Sequence, residues 1–241
     1  MFSDPRLTAF YDLINPHDED TPFYVQLAED LHPVDVSDVG CGTGRLALIL
    51  ASGGFTVTGV DPSRAMLDVA RAKTAAATVT WIDGGVENLV TRSADLILMT
   101  GHVAQFFLTD KAWREALFNI RRALRASGKL AFETRNPTSR PWEDWTREHS
   151  YRITRTPIGE VENWYQVASV QDRVVTYSLN YRFPTGEVAR DNNQLIFRTN
   201  DEVVASLGAA GFVIERTYGD WDRSPLTPDS PELIYVASTE Q

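Results

Sequence analysis

The chain has a single cysteine, Cys41, so no internal disulfide can form and a reducing cytoplasm is the expected setting. Cys/His clusters with zinc spacing are missing, which removes the usual structural metal sites. No apolar run approaches the roughly 20 residues that cross a bilayer. The opening MFSDPRLTAFYD lacks the basic and then apolar segments of a secretory leader. No membrane partner is expected. Positive charge is also in short supply: 23 Lys and Arg stand against 33 Asp and Glu, a net charge of −10. A nucleic-acid partner needs a concentrated basic face and is therefore not expected. The densest basic run, Arg121, Arg122, Arg125 and Lys129, reads as cations complementing the negative end of a helix. Neither G-x-S-x-G nor G-x-x-x-x-G-K occurs, which argues against a serine hydrolase of that type and against a P-loop enzyme.

What is present is a glycine turn set between two apolar strands. Val36 to Asp61 reads VSDVGCGTGRLALILASGGFTVTGVD. A strand runs into Gly40, Gly42 and Gly44, a helix follows, and a second strand ends on an acid. Glycines let the backbone approach a ligand closely. The helix points unpaired N–H groups at whatever sits in the turn. An acid ending the next strand can accept both hydroxyls of a ribose. A dinucleotide fingerprint would place a small residue where Arg45 stands. That weakens a nicotinamide-dependent oxidoreductase, and the spacing leaves room for an amino-acid tail instead.

Strands and helices alternate through the first half. Strands are expected at Asp35–Val39, Thr56–Val60, Thr78–Ile82, Ala94–Thr100 and Gly128–Thr134. Helices are expected at Arg45–Ser52, with Leu46, Ile49 and Leu50 on one face, at Ser63–Lys73 and at Asp110–Leu124. The opening stretch Thr8–Leu31 reads as helix interrupted at Pro16 and Pro22. Such alternation means an α/β fold, a Rossmann-like doubly wound sheet of seven mostly parallel strands. At Asn136-Pro137 the period changes. Val175, Tyr177, Leu179, Tyr181 and Phe183 alternate with polar residues, the pattern of a strand with one wet face. Further strands near Tyr151–Pro157, Val161–Val170 and Val188–Phe197 complete a small antiparallel β insertion. A capping box at Thr199 to Glu202 reopens the helical pattern, with Val203, Val204 and Leu207 inward. Strands Phe212–Tyr218 and Glu232–Ser238 close the chain. Residues 1–136 and 198–241 are thus read as the core, and 137–197 as an insertion serving as lid, acceptor pocket or homodimer face.

The turn resembles the first motif of the class I S-adenosylmethionine-dependent methyltransferases, written D/E-x-G-x-G-x-G; Asp38, Gly40, Gly42 and Gly44 stand in its places. The resemblance covers Asp35 to Thr134 and the resumed core. It implies S-adenosylmethionine as cofactor and methyl transfer to a nitrogen or oxygen of a small-molecule acceptor. The placement of the insertion is similar to that of small-molecule and sugar-amine N-methyltransferases. The Asn/Asp-Pro-Pro-aromatic motif of amino-group DNA methyltransferases is absent. A sensor that binds the cofactor without turnover is the non-enzymatic alternative.

By this resemblance Asp61 takes the ribose, Asp83 accepts from the adenine amino group, and the Gly84 N–H donates to the ring. Tyr11 lies over the sulfonium, where an aromatic face suits a cation. Gly40, Cys41, Gly42, Gly44, Arg45, Pro62, Met66, Thr100, Gly101 and Phe106 complete the expected cofactor-binding set. Arg45 is a candidate partner for the methionine carboxylate, and Phe106 a candidate cover for the adenine. His102 is the candidate general base, with orienting the substrate or packing as alternatives. Trp142, Trp145, Trp164 and Tyr165 form either an acceptor pocket or the core of the small sheet, and Arg135 and Asn136 are candidates for a polar or anionic group on the acceptor.

Overall fold

A computed structural model describes residues 5–15 and 19–239. Three helices lead the chain: α1 (Pro5–Ala9), α2 (Tyr11–Ile14) and α3 (Asp20–Leu31). The expected break at Pro22 does not occur, because Pro22 lies in the first turn of α3. An N–H there has no intrahelical acceptor, so proline costs nothing. Pro16 lies outside the described residues.

The alternating segment then builds β1 (Asp35–Val39), α4 (Arg45–Ser52), β2 (Thr56–Asp61), α5 (Arg64–Ala72), β3 (Val79–Asp83), β4 (Ala94–Met99), α6 (Asp110–Ala123) and β5 (Leu124–Arg135). After the insertion come α8 (Asn200–Ala209), β10 (Phe212–Tyr218) and β11 (Glu232–Thr239). Seven strands form one sheet in the order β10-β11-β5-β4-β1-β2-β3. β1 to β5 pair in parallel, while β11 runs antiparallel to both β5 and β10. Strand order reverses between β1 and β4, which opens a crevice at the carboxyl ends of those strands.

Helices cover both faces of the sheet. On one, Trp113, Leu117 and Ile120 of α6 pack with Val203 and Leu207 of α8. On the other, Tyr24 and Leu27 of α3 pack with Leu46 and Leu50 of α4. Two residues expected inward face water instead: Ile49 is 38% exposed and Val204 is 40% exposed. Each sits at the margin of its helix's apolar stripe, where a 3.6-residue period leaves only part of the side chain against the sheet.

The insertion holds α7 (Arg147–Ser150) and a second sheet of β6 (Arg152–Thr156), β7 (Gly159–Gln171), β8 (Val174–Arg182) and β9 (Val188–Ile196). It is an antiparallel meander in that order. The inner face carries Val161 and Tyr165 from β7 and Val175, Tyr177, Leu179 and Tyr181 from β8. Elements outside the insertion complete that face. Leu7 of α1 and Ile14 of α2 pack on one end, and Phe106 packs on the other. No helix among the described residues is long and apolar enough to cross a membrane.

Candidate functional site

The glycine turn, the ends of β1, β2 and β4, and helix α2 enclose a cavity of about 290 Å³. Of the expected set, Tyr11, Gly40, Cys41, Gly42, Arg45, Asp61, Pro62, Met66, Gly84, Thr100, Gly101 and Phe106 line it. Asp61 is 6% exposed and is held by two backbone donors. Gly42 N–H donates to Oδ2 at 2.8 Å and Ser63 N–H donates to Oδ1 at 2.7 Å. Burial raises its pKa, against the pull of those N–H groups. Each carboxylate oxygen keeps a free lone pair for a further donor. Ser63, not Asp61, caps α5, accepting from Met66 N–H. A Cβ at Gly42 would meet nothing within 4 Å, so the turn leaves open space there.

Two of the expected cofactor residues, Gly44 and Asp83, stand elsewhere, and Gly84 lines the cavity with its N–H already engaged. Gly44 lies behind the turn at φ +73°, and a Cβ there would meet the Trp81 ring at 2.3 Å. Its smallness serves packing and the entry to α4 rather than room for a ligand tail. Asp83 is exposed at the end of β3, beside the lining residues Gly84 and Gly85 but not among them. The Gly84 N–H, expected to meet the ligand's ring, donates to the Asp61 carbonyl at 3.1 Å, because the β2–β3 ladder runs one residue further.

His102, expected beside the reacting methyl, is turned away from the cavity. Its backbone is left-handed at φ +61° and its N–H donates to Oε1 of the buried Glu133 at 2.6 Å. Nε2 lies 3.0 Å from both carboxylate oxygens of Glu232. The ring also meets Trp221 edge-on at 6.5 Å. Glu133 accepts from the Tyr24 hydroxyl as well, and burial raises its pKa. This acid–imidazole cluster anchors the loop after β4, with Gly101 and Val103 on the cavity side.

Sequence reasoning left other lining residues unassigned. Asp38 is 1% exposed and lines the cavity, and its Oδ1 has no hydrogen-bond partner. Burial, followed by the charges of Asp61 and Glu133, lifts its carboxyl from 3.8 to about 7. Asp12 of α2 reaches across the turn: Lys73 Nζ donates to Oδ2 at 2.6 Å and to the Thr43 carbonyl at 2.7 Å. The Thr43 hydroxyl donates to Oδ1 of Asp12. This latch lays α2, and Tyr11 with it, over the cavity. Arg45 donates to the Asn15 carbonyl at 3.3 Å. Cys41 is buried, which pushes its thiol pKa up, so it is no nucleophile.

On the acceptor side, Asn136 is fully engaged within the fold. Its amide donates to the Pro228 and Ser230 carbonyls, and its oxygen accepts from Thr138 N–H. Trp164 and Tyr165, adjacent in β7, point to opposite faces. Trp164 lies under Arg147 on the outer face, while Tyr165 joins Trp145 and Tyr177 on the inner one.

The residues present fit a sulfonium nucleoside. The cavity offers a carboxylate with spare acceptor capacity at a strand end, an orphaned buried carboxylate oxygen, and an open glycine backbone between them. No group of side chains among the described residues is arranged to hold a metal ion.

Comparison with known proteins agrees with this geometry. Residues 36–128 match the family described as "Methyltransferase domain". A provisionally named methyltransferase of Geobacillus sp. (strain WCH70) is 37% identical over 102 residues, 41% of this chain and 41% of that protein. The chain thus matches about two fifths of that relative's length. The cypemycin N-terminal methyltransferase of a Streptomyces sp. is 25% identical over 94% of this chain and 93% of its own. The S-adenosylmethionine-bound structure of an amino pentose methyltransferase from Micromonospora echinaspora superposes with a TM-score of 0.73 at 18% identity, covering 100% of this chain and 98% of that one. The chain has the class I S-adenosylmethionine-dependent methyltransferase fold, with residues 36–128 similar to the methyltransferase-domain family and a small antiparallel insertion after β5.

Proposed function

We propose that the protein transfers a methyl group from S-adenosylmethionine to a nitrogen or oxygen of a small-molecule acceptor. The observation that carries this reading is one cavity with two unlike ends. One end holds the glycine turn, Asp61 and the orphaned Asp38, and the other holds Gly101 and Phe106, whose ring packs against Val175, Leu195 and Phe197. Asp61 would take the ribose hydroxyls, and Asp38 the ammonium of the amino-acid end. Asp83 would reach the adenine from the rim. Bound there, the cofactor supplies an electrophilic sulfonium methyl. The protein's own part is alignment and exclusion of water. Tyr11 and Phe106 line the cavity and would close over the bound cofactor, an arrangement that favours proximity effects worth roughly 7–11 kcal/mol. His102 acts as a positioning residue through the loop it anchors, because its imidazole is committed to Glu232. Similar proteins named for an N-terminal end and for an amino pentose favour an amine acceptor. The buried thiol of the single cysteine suits a reducing cytoplasm.

The test combines binding with turnover. Asp61→Ala is expected to weaken S-adenosylmethionine at least about tenfold by calorimetry, with the fold intact by circular dichroism, since two charge-assisted hydrogen bonds are lost. Wild-type protein should release S-adenosylhomocysteine with some member of an amine and alcohol panel. Unchanged affinity in the variant would remove the ribose assignment. Tight binding with no release across the panel would leave the sensor reading in its place.

A further inference from the structure

Arg135 is the last residue of β5 and stands half-buried at the carboxyl edge of the sheet. No carboxylate lies within ion-pair distance of it among the described residues, in a chain with 33 acidic residues. Arg125, Arg173 and Arg223 each meet a carboxylate oxygen at 2.5–2.8 Å, while the half-buried Arg45 and Arg122 donate to backbone carbonyls.

What holds Arg135 is neutral. Nη1 donates to Oε1 of Gln105 at 3.0 Å. Gln105 is 1% exposed, and its own amide is fixed on the Ile196 carbonyl at 3.1 Å. The guanidinium carbon sits 5.4 Å from the ring centre of Trp145, whose ring leans on Tyr165 and Tyr177 at 5.8 and 4.8 Å. A carboxylate in place of Gln105 would have cancelled the charge; an amide orients the guanidinium and leaves the charge uncompensated. Gln105 takes one of the five N–H donors of the guanidinium. The Tyr165 and Tyr177 hydroxyls have no hydrogen-bond partner among the described residues. Burial raises both phenols and the Arg135 charge pulls them back, so the guanidinium and the two hydroxyls share one electrostatic environment. This cluster adjoins the cavity: Phe106 lines the cavity and packs against Val175, Leu195 and Phe197, the same buried group that Trp145 and Tyr177 pack against. Tyr11, another lining residue, has its phenol raised by burial and then by the neighbouring Tyr165 and Tyr177 phenols, which places it beside them.

We propose that Arg135, with the Tyr165 and Tyr177 hydroxyls beside it, binds an anionic group on the methyl acceptor, a carboxylate or a phosphate. The inference rests on the methyltransferase reading above and narrows its substrate class to small amines or alcohols that carry an anion. A guanidinium presents two parallel N–H donors that match either oxyanion, and such paired bonds are shorter and stronger than neutral ones. Partial burial deprives Arg135 of water without supplying a counterion, and a bound anion supplies it.

The test uses the full chain saturated with S-adenosylhomocysteine. Matched pairs are titrated by calorimetry: leucine against leucinamide, 4-aminobenzoate against 4-aminobenzamide, and 4-aminophenyl phosphate against 4-aminophenol. At least one anion is expected to bind about tenfold or more tighter than its neutral twin, and which pair shows it separates carboxylate from phosphate. Arg135→Gln should bring that pair within about twofold, and Arg135→Lys should retain part of the preference, because the charge stays and the fork is lost. Affinity for S-adenosylhomocysteine should stay within about twofold in both variants, which also reports that they fold. Absence of charge preference in every pair, or a preference that survives Arg135→Gln, overturns the proposal while leaving the cofactor site standing. Failure of the wild-type chain to bind S-adenosylhomocysteine removes both readings together.

Discussion

A carboxyl group sealed from water favours its protonated form, and Asp38 is such a group, with its Oδ1 unpartnered and its pKa lifted to about 7. The groups that face it are Asp61, Glu133 and Asp20, all acidic, and the Ala47 N–H is the stabilising donor among them. Its folded value lies above its unfolded one. Folding therefore takes up a proton in the window from 3.8 to about 7, and the stability this gives is lost as pH rises through about 7. Asp61 and Glu133 are shifted in the same direction. Removing the charge should help the empty protein and harm the loaded one. Ligand-free Asp38→Asn is expected to exceed wild type in stability by roughly 1–3 kcal/mol at about pH 8, the gap closing near about pH 5. Affinity for S-adenosylhomocysteine should rise about tenfold in wild type between about pH 5.5 and 7, because the ammonium needs Asp38 ionised, and stay flat in the variant. Denaturant titrations and calorimetry across that range decide it. An identical slope in Asp38→Asn would assign the proton to another group.

Helix α2 is short, and isolated helices of that length do not hold in water. Its position over the cavity depends on the Asp12–Lys73–Thr43 latch. The ion pair is about a third exposed, so screening leaves it on the order of 1 kcal/mol. Asp12→Ala is accordingly expected to weaken S-adenosylhomocysteine about threefold to tenfold. The same affinity should fall toward the variant's as salt is raised to about 1 M in wild type. Equal affinities for variant and wild type at low salt would mean that α2 stays closed without the latch. This contact was invisible in the sequence, since Asp12 and Lys73 are distant in the chain and ordinary surface residues taken singly. The parallel strands were legible because their apolar runs are bounded by turn residues, and β8 because its alternation is unbroken from Val175 to Tyr181. The glycine turn and Asp61 were legible from spacing alone. The orientation of His102 was not: it depends on a left-handed backbone at a non-glycine residue and on Glu232, which lies 130 positions away. Nor could spacing tell that Gly44 yields its Cβ space to Trp81.

At the scale of the whole molecule, the insertion and the core share their apolar clusters. Leu7 and Ile14 are buried with Val161, Leu179 and Phe183, while Phe106 packs with Val175, Leu195 and Phe197. Stripped of those partners, a four-stranded sheet would expose its inner face, so the insertion should not outlast the core. The six tryptophans divide conveniently, with Trp142, Trp145 and Trp164 in the insertion and Trp81, Trp113 and Trp221 outside it. Tryptophan fluorescence and far-ultraviolet circular dichroism are expected to trace one coincident thermal transition. A ligand that binds only the folded chain at about 100 times its dissociation constant adds roughly 2.7 kcal/mol. In a chain of this size that moves the midpoint by about 5–10 °C. S-adenosylhomocysteine should therefore shift both signals by the same amount, although most of its predicted contacts lie in the core. Two transitions, with only one moved by the ligand, would show the insertion to be an independent body. The acceptor cluster of Arg135, Tyr165 and Tyr177 would then be assembled from two separately folding parts.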